Sequence, residues 1–551
     1  MRWAGVDSVV ARAVEEQTRR VLDTYRVEPG RVEEDANLER SAAEGAYAKR
    51  QVFELLQNAA DALRDQPGRC EVLLTDSTLY VANQGSPLSA KGVETLMAAH
   101  RSVKRDEQIG RFGLGFKSVL AVSDSPRLFS RSGSLLFDRE EAVRRISQVV
   151  PGAPHYPISR VATATDPKVW ATRDPELKKL MEWATTVVVL PLRTGHDIIA
   201  ESMRTFPAQF VLFSPHVTEL GFDDRVNESA RLIGLKTNEA GEFDLLDSNR
   251  RARWVVVSRR HRPTKAALAD GGYQAARDAV QIQWAVPIEG AQTRLGSFWA
   301  YFPTSDGTTL SGIVNAPWKL ADDRASLLNG AFNEELLTEV LPSLVVEALP
   351  RLVPEDRPAA VIDALPARGK EARNDADDMI NEPIMRAVSR VACIPTMAGG
   401  LAHPVDVRLH PDGVDLDDIR MWASGCVDPQ NWVHQSIVSP ERRSKVSRLM
   451  AYHERTAESL RDWVEHLVDA APEDKAVEAS GLAVRLVARL CSKVPEAREE
   501  LLRARVLLLE DGTRHVCRAG EVFVRGSESE SARSPPRPRR RLASSVRCRR
   551  C

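Results

Sequence analysis

The sequence predicts an α+β fold with several domains. Residues 50–63 form an amphipathic pattern, because their apolar residues recur at three- and four-residue steps, as on one face of a helix. Two β-rich runs follow at 70–75 and 78–83, and Asp76-Ser77 between them is typical of a tight hairpin turn. Strand-like and helical stretches then alternate over 197–350. This mixture of helices with a hairpin indicates the α+β class.

The predicted helix at 50–63 carries a second, polar face. Glu54, Asn58 and Asp61 stand at i, i+4 and i+7, which places all three on one side of the helix within about two turns. An amide oxygen is a ligand that Mg²⁺ accepts, and a carboxylate can polarise a water molecule. The spacing therefore suits a hard cation with a water beside it.

The second hairpin strand ends in Asn83-Gln84-Gly85. A polar side chain at a strand end, followed by glycine, allows a planar ligand edge to meet the side chain while the backbone approaches closely. Further along, Gly110, Gly113 and Gly115 precede Lys117 and a short apolar helix. Free backbone N–H groups, a helix start and a lysine favour an anion, although the same glycine pattern also fits a loop that crosses a helix.

The order of these three pieces resembles that of the Bergerat-fold ATPases, the superfamily of gyrase, heat-shock-90 chaperones, histidine kinases and MutL. The flanking stretches ELLQNAADAL and IGRFGLGFKSVLAVSDSPRLFS are similar to the sacsin-type N-terminal ATP-binding domain. The resemblance is dense over about residues 20–200 and thinner to about 340. It implies a two-layer α/β sandwich that binds ATP with Mg²⁺.

The resemblance also implies a role for each matching residue. Glu54 matches the general base that activates water, and Asn58 matches the Mg²⁺ ligand. Thr186 matches a threonine beside the adenine. The complete set of implied nucleotide-binding positions is Asn58, Asp61, Asn83, Gly85, Lys104, Gly110, Gly113, Leu114, Gly115, Phe116, Lys117 and Thr186.

Two positions depart from the superfamily pattern. Asn83 stands where most members have an aspartate that accepts from the adenine amino group; an amide oxygen accepts the same hydrogen bond without charge. Pro87 replaces the second glycine of the usual Asp-x-Gly-x-Gly. These changes imply a weaker or altered nucleotide preference and a different loop shape.

Three basic residues have more than one interpretation. Residues 88–109 lie where the superfamily keeps its lid, and Lys104 there either contacts a phosphate or is solvated. In the superfamily a second α/β domain sends a basic residue to the γ-phosphate, and Lys319 and Arg324 are the candidates here. The alternative for that pair is a surface loop next to a helix start.

Elements outside the three motifs can also be predicted. Residues 6–26 predict an amphipathic helix, 145–180 an irregular insert, and 186–191 a buried core strand. The charges of 33–50 predict a solvated face, and the alternative is that Tyr47 and Arg50 support the nucleotide site. A helix interrupted by Pro342 is predicted over 333–352. The predicted domains are an ATP-binding domain at 1–200, a second α/β domain at 201–350, a helical and β-hairpin region at 351–526, and a disordered Arg/Pro/Ser-rich tail at 527–551, which we interpret as a truncation or frameshift product.

Composition excludes several classes of protein. The formal net charge of −1 provides no broad positive field for nucleic acid. The seven cysteines form no Cys-x2-Cys pair, which argues for a reducing compartment and against a zinc site. No apolar run approaches the ~18 residues of a membrane span. A cytoplasmic protein is therefore expected.

Two functional hypotheses remain open from the sequence. The first is a slow Mg²⁺-dependent ATPase whose lid closure drives a large chaperone-like or defence-related protein, with client proteins or a second copy of the chain as partners. The second is a switch or scaffold that binds nucleotide without hydrolysis. A phosphotransferring histidine kinase is disfavoured, because the chain upstream of Glu54 shows no helical hairpin with a phospho-accepting histidine.

Overall fold

The computed structural model divides the chain into two compact units. Unit 1 comprises Met1–Gly307 and Gly312–Leu336, and unit 2 comprises Thr308–Ser311 and Leu337–Cys551. The sequence predicts separate domains for 1–200 and 201–350, but the structure joins most of both in unit 1. The residues described are 3–44, 50–98, 116–272, 278–289, 295–321, 325–353, 356–367, 374–509, 513–515, 522–523 and 540–541.

The helices of unit 1 include the one predicted at 6–26 and the one predicted at 50–63. In the insert predicted to be irregular, two helices begin instead at Asp-Pro pairs, Asp166-Pro167 and Asp174-Pro175, where the aspartate caps the helix and proline takes its first position. Phe116–Ala121 and Ala208–Phe213 are 3₁₀ helices. The α-helices are α1 Val9–Val27, α2 Arg31–Glu44, α3 Gln51–Leu63, α4 Ala90–Met97, α5 Arg139–Ser147, α6 Pro167–Ala171, α7 Pro175–Trp183, α8 His196–Arg204, α9 Lys265–Asp270 and α10 Ala331–Glu335.

A single mixed sheet runs through the described part of unit 1. Its strands are β1 Gly68–Leu74, β2 Thr78–Asn83, β3 Arg127–Ser130, β4 Ser134–Leu136, β5 Thr163–Thr165, β6 Thr186–Pro191, β7 Val217–Asp224, β8 Ser229–Thr237, β9 Phe243–Asp247, β10 Arg250–His261, β11 Val280–Glu289, β12 Gly296–Trp299, β13 Pro303–Thr308 and β14 Ile313–Asn315. Their spatial order is β13-β12-β14-β11-β10-β9-β8-β7-β1-β2-β6-β3-β4-β5.

The pairing of β1 with β7 explains why the predicted boundary near residue 200 does not separate two units. β1 pairs antiparallel with β2, as the hairpin prediction requires, and its other edge pairs in parallel with β7 from Gly68 to Leu74. The backbone hydrogen bonds of one sheet therefore cross this boundary.

Both faces of the first strands are buried. Leu79 and Val81 of β2 point into the core beneath α3, whereas Tyr80 and Ala82 point into a second apolar cluster. Leu177 of α7 belongs to that second cluster, so α7 covers the face that a simple two-layer arrangement would leave open. Because both faces are covered, β6 is apolar at every central position, as the sequence predicts for a buried strand.

Unit 2 is mainly helical. The interruption predicted at Pro342 is found, because a π-helical turn at Leu336–Val340 separates α10 from α11, and Pro342 lies in the first turn of α11. The helices are α11 Leu341–Ala348, α12 Ala360–Ala364, α13 Asp375–Val388, α14 Leu416–Ala423, α15 Pro440–Ala451, α16 Leu460–Asp469, α17 Ala476–Lys493 and α18 Arg498–Leu502, with 3₁₀ turns at Leu349–Arg351, Glu473–Lys475 and Pro495–Ala497.

Short hairpins accompany these helices, in agreement with the helical and β-hairpin region predicted at 351–526. The antiparallel pairs are β15 Ile394–Pro395 with β16 Leu401–Ala402 and β17 Leu507–Leu508 with β18 Arg514–His515. β19 Val522–Phe523 pairs in parallel with β20 Arg540–Arg541, so this pair is not a hairpin, and its second strand lies within the tail predicted to be disordered. Among the described helices of the chain, none has both the length and the apolar composition that crossing a bilayer requires.

Candidate functional site

Helix α3 is the scaffold of the candidate site. Its apolar stripe, which includes Leu55 and Ala59, is buried against the sheet and holds the helix in place. Glu54 is buried near the N-terminal end, and Asn58 lies one turn further on, partly exposed. The structure therefore confirms the helix and the helical spacing that the sequence predicts for these side chains.

Asp61 continues the same face of α3 but has its own partners. Its carboxylate Oδ1 lies 3.8 Å from Nη2 of Arg64, and its side chain is 7% exposed. His216, which precedes β7, is also close: burial lowers the pKa of His216, Arg64 lowers it further, and Asp61 acts in the opposite direction. Asp61 is therefore held by neighbouring charged groups at the end of α3, and its nucleotide-binding role stays a prediction.

The turn after β2 is fastened to the C-terminal end of α3. The backbone N–H of Ser86 donates to the carbonyl of Ala62 over 2.7 Å. Gly85 has a φ of +92°, and a Cβ atom at that position would clash with the Ala62 carbonyl oxygen. Glycine at 85 is therefore needed both for its conformation and for the close approach of the turn to the helix.

Gly85→Ala tests how firmly this turn is held. We expect a loss of about 2 kcal/mol of unfolding free energy, since the substitution adds a steric clash to a left-handed backbone. Gly152→Ala is the matched control, because Gly152 has a φ of +79° but nothing within 4 Å of an added Cβ. Urea unfolding measures both variants; an equal loss in the two would show that the contact with Ala62 has no separate effect.

Asn83 lies at the end of β2 with a defined side-chain orientation. It is buried, and its Nδ2 donates to the carbonyl of Gln84 over 2.6 Å. The Gln84 side chain in turn accepts from the backbone N–H of Arg69 over 2.9 Å. This hydrogen bond identifies Nδ2 as the donor, so Oδ1 is the acceptor atom of the Asn83 side chain.

Two hydroxyl groups lie beside Asn83 on the neighbouring strands, at the same end of these strands. Thr186 is the direct register partner of Asn83 on β6, and Ser130 is the register partner of Thr186 on β3. The Oγ1 of Thr186 is 3.2 Å from the Oγ of Ser130, which accepts from the backbone N–H of Leu88. The sequence prediction includes Asn83 and Thr186 but misses Ser130, whose position becomes evident only once the strands are paired.

The 3₁₀ helix Phe116–Ala121 meets the opposite end of α3. Gln51 of α3 donates from Nε2 to the carbonyl of Ser118 over 3.3 Å, and both groups are buried. Phe116 is buried and lies 5.9 Å, ring to ring, from Phe137. The chain that follows the glycine-rich stretch is therefore attached close to Glu54.

Lys117, on this 3₁₀ helix, is 1% exposed and interacts electrostatically with Glu39 of α2. Burial lowers the pKa of Lys117, and the Glu39 carboxylate acts against that shift. Burial also raises the pKa of Glu39, although that carboxylate accepts from Ser159 and from the backbone N–H of Ile158 over 2.6 Å. The structure thus places Lys117 in a buried charge cluster, a setting that the sequence prediction does not include.

This buried cluster corrects the expectation that the charges of α2 form a solvated face. Asp35 and Glu39 are both buried. Asp35 accepts from the hydroxyl of Tyr25 over 2.7 Å and from Nε of Arg160 over 2.8 Å. Asp35 and Glu39 share a helix face with the buried Val32, so this face of α2 turns into the protein.

Lys319 is described in the structure, whereas several other predicted site residues are not. Lys319 donates from Nζ to Oδ1 of Asp270 over 2.5 Å, and this bond lowers the pKa of Asp270. Its ammonium is therefore held at the end of α9, and its γ-phosphate role stays a prediction. The positions that lie outside the described residues are Lys104, Gly110, Gly113, Leu114, Gly115, Arg324 and the supporting residue Tyr47.

Oxygen donors suitable for Mg²⁺ are present on α3. The amide of Asn58 and the carboxylate of Glu54 are the hard oxygen ligands that this ion accepts. Within the described ranges there is no group of three or more His, Cys, Asp or Glu side chains that could hold a metal ion. A magnesium ion that is held mainly by phosphate oxygens and water needs only one or two protein ligands, so this donor set fits.

Comparisons with known proteins assign no family to this chain. No protein-family model matches the chain, and no curated protein matches it. The functional interpretation therefore depends on the motifs and on the geometry around α3, which carries Glu54 and Asn58 and whose C-terminal end contacts the turn at Gly85.

Proposed function

We propose that the chain binds ATP with Mg²⁺ at the polar face of α3 and hydrolyses it slowly, in a Bergerat-type fold. The observation that carries this proposal is that the turn after Asn83 and the segment after the glycine-rich stretch are both attached to α3. The turn after Asn83 is fastened to the C-terminal end of α3 through Ala62, and the segment that follows the glycine-rich stretch is fastened to its N-terminal end through Gln51.

In this scheme the two ends of α3 lie near different parts of the nucleotide. At the C-terminal end, Asn83 and Thr186 would receive the base, with the Asn83 amide oxygen accepting from its amino group. At the N-terminal end, the phosphates would lie near Asn58, whose amide oxygen would bind the metal, and Glu54 would accept a proton from the attacking water. When bound, Mg²⁺ would neutralise phosphate charge. Lys117 fits this scheme least, because it is buried with Glu39.

Asn58→Ala is the first test of the proposed site. Calorimetric titration of ATP with Mg²⁺ should show binding to the natural chain and at least about tenfold weaker binding to the variant, which corresponds to about 1.4 kcal/mol. The matched control is Asp65→Ala, because Asp65 is exposed just beyond the end of α3 and has no role in the scheme. Equal binding by the natural chain and Asn58→Ala would place the nucleotide elsewhere.

The second candidate is a nucleotide-binding switch that does not hydrolyse ATP. It is favoured by Asn83, which supplies an uncharged acceptor in a fixed orientation and suits binding without indicating turnover. Phosphate release on the calorimetry samples separates the two functions. Release above a buffer blank supports the ATPase, and tight binding without release supports the switch.

The wider role follows from the sequence resemblance alone. Sacsin-type relatives suggest a chaperone-like or defence-related protein in the cytoplasm. In that role ATP binding would change the conformation of the chain, and client proteins or a second copy of the chain would respond to it.

A further inference from the structure

An aromatic contact links α3 to the far part of the unit 1 sheet. The turn 300–302 connects β12 to β13, and Phe302 at its end is 3% exposed. The ring of Phe302 meets that of Phe53 edge to face, with a centroid distance of 4.8 Å and an interplanar angle of 85°. Phe53 is the residue immediately before Glu54 in the first turn of α3. The turn therefore contacts the helix next to the candidate general base.

Two further rings hold Phe302 in place. Phe210 stacks on it with a centroid distance of 5.1 Å and an interplanar angle of 6°. Phe206 meets it edge to face at 5.7 Å and also contacts Phe53 at 5.3 Å. Edge-to-face and stacked pairs of this kind are stabilising beyond the burial of their area. Phe302 is thus a fixed contact for α3.

The backbone of the same turn is strained. Tyr301 has a φ of +67°, a left-handed conformation that is strained for a residue other than glycine. A buried polar pair maintains it: Asn315 accepts from the backbone N–H of Tyr301 over 2.7 Å and donates from Nδ2 to Gln283 over 3.0 Å. Such strain persists only where several contacts determine the conformation together.

We propose that Phe302 is a positioning residue for Glu54. The strained turn holds the Phe302 ring against Phe53, and this contact fixes the first turn of α3, from which Glu54 projects. The contact crosses from β12 and β13 to the α3 helix, so it also links the later strands of the sheet to the candidate catalytic group. The effect on turnover rests on the proposed ATPase function, but the effect on α3 does not.

Phe302→Leu is the main variant, because it keeps an apolar side chain but removes the ring edge. We expect kcat for ATP to fall about tenfold while the Kd for ATP changes less than twofold. We also expect the backbone amides of residues 53–56 to exchange with solvent about tenfold faster. A residue with only a general structural role would lower the melting temperature without this separation of kcat from Kd.

Phe298→Leu is the matched control. Phe298 lies on β12, is fully buried, and packs at 5.8 Å against Trp318 instead of Phe53. We expect a similar loss of melting temperature, but unchanged amide exchange at 53–56 and a kcat within twofold of the natural chain. Equal exchange in the natural chain and Phe302→Leu, or equally faster exchange in Phe298→Leu, would overturn the proposal.

Phe53→Leu keeps the test open if Phe302→Leu fails to fold. It removes the other ring of the pair, so its amide exchange at 53–56 should rise as well. Where both variants fold, the double variant should raise amide exchange at 53–56 by less than the product of the two single increases, because the two rings share one contact. If the natural chain releases no phosphate, the ATPase function fails, and amide exchange alone still decides whether Phe302 positions α3.

Discussion

Glu54→Gln is expected to lower ATP turnover by roughly 10²–10³-fold while the Kd for ATP changes by less than about threefold. The amide keeps the size of the side chain but cannot accept a proton from the attacking water, and general bases typically contribute about 10²–10⁴-fold to rate. Glu54 is buried on α3, one turn before Asn58. Because glutamine and glutamate have nearly the same size, the substitution should leave the packing around this position unchanged. Phosphate release and calorimetry on the same samples measure the two effects.

Glu182→Gln is the matched control for this experiment. Glu182 is exposed on α7, which covers the other face of the sheet, so removing its charge should leave both turnover and binding unchanged. Undiminished turnover in Glu54→Gln would assign the general base to another group. Loss of ATP binding in that variant would instead show that Glu54 holds the nucleotide or the metal.

The local parts of the candidate site could be predicted from the sequence because their signals are local. The apolar stripe with Leu55 and Ala59 fixes how α3 packs on the sheet, and the helical spacing places Glu54 and Asn58 together on another side of the helix. The hairpin ending at Asn83 follows from two β-rich runs with a short polar turn between them. These elements lie where the sequence predicts them.

The remaining features depend on partners that are distant along the chain. Glu39 is buried because Ile158 and Ser159 supply its hydrogen bonds from about 120 residues away. The domains predicted at 1–200 and 201–350 share one sheet because β1 pairs with β7, about 150 residues further along the chain. Such pairings have no local periodicity, and a charged residue on a helix is more often solvated than buried.

Unit 2 contains a buried histidine within a cluster of tryptophans. His410 is 1% exposed, and its ring stacks on that of Trp432 at 5.2 Å. The indole N–H of Trp463 donates to its Nδ1 over 3.0 Å, so Nδ1 must carry no proton. Its Nε2 is 2.9 Å from the carbonyl of Val433 and therefore donates to it. Both ring nitrogens are satisfied in the neutral form.

This environment lowers the pKa of His410 to about 4, chiefly by burial. The hydrogen bond to Val433 opposes the shift, and the nearby Arg443 and His434 add to it. His466, which also lies beside the Trp432 ring, has its pKa lowered by burial and by Arg408. His410 and His466 therefore change stability in the same direction.

Unit 2 is expected to lose stability as the pH falls from 6.5 to about 4. The unfolded chain takes up a proton near the ordinary histidine pKa of 6.5, whereas the folded chain does so only near 4. The stabilisation by neutral His410 is therefore complete above pH 6.5 and is lost as the pH falls towards 4. At pH 4, this loss amounts to about 3 kcal/mol of unfolding free energy from His410 alone. Amide exchange of α14 and α16, corrected for intrinsic rates, measures this loss for unit 2 alone.

His410→Gln separates the histidine from the other groups. A glutamine side chain can accept from Trp463 and donate to Val433 but does not titrate, so most of the pH dependence between 6.5 and 4 should disappear, leaving the share of His434 and His466. His403→Gln is the control, because His403 follows β16 outside this cluster and its loss should leave the slope unchanged. An unchanged slope in His410→Gln would mean that protonation of His410 is equally easy in the folded and unfolded chain, which its two hydrogen bonds in the neutral form argue against.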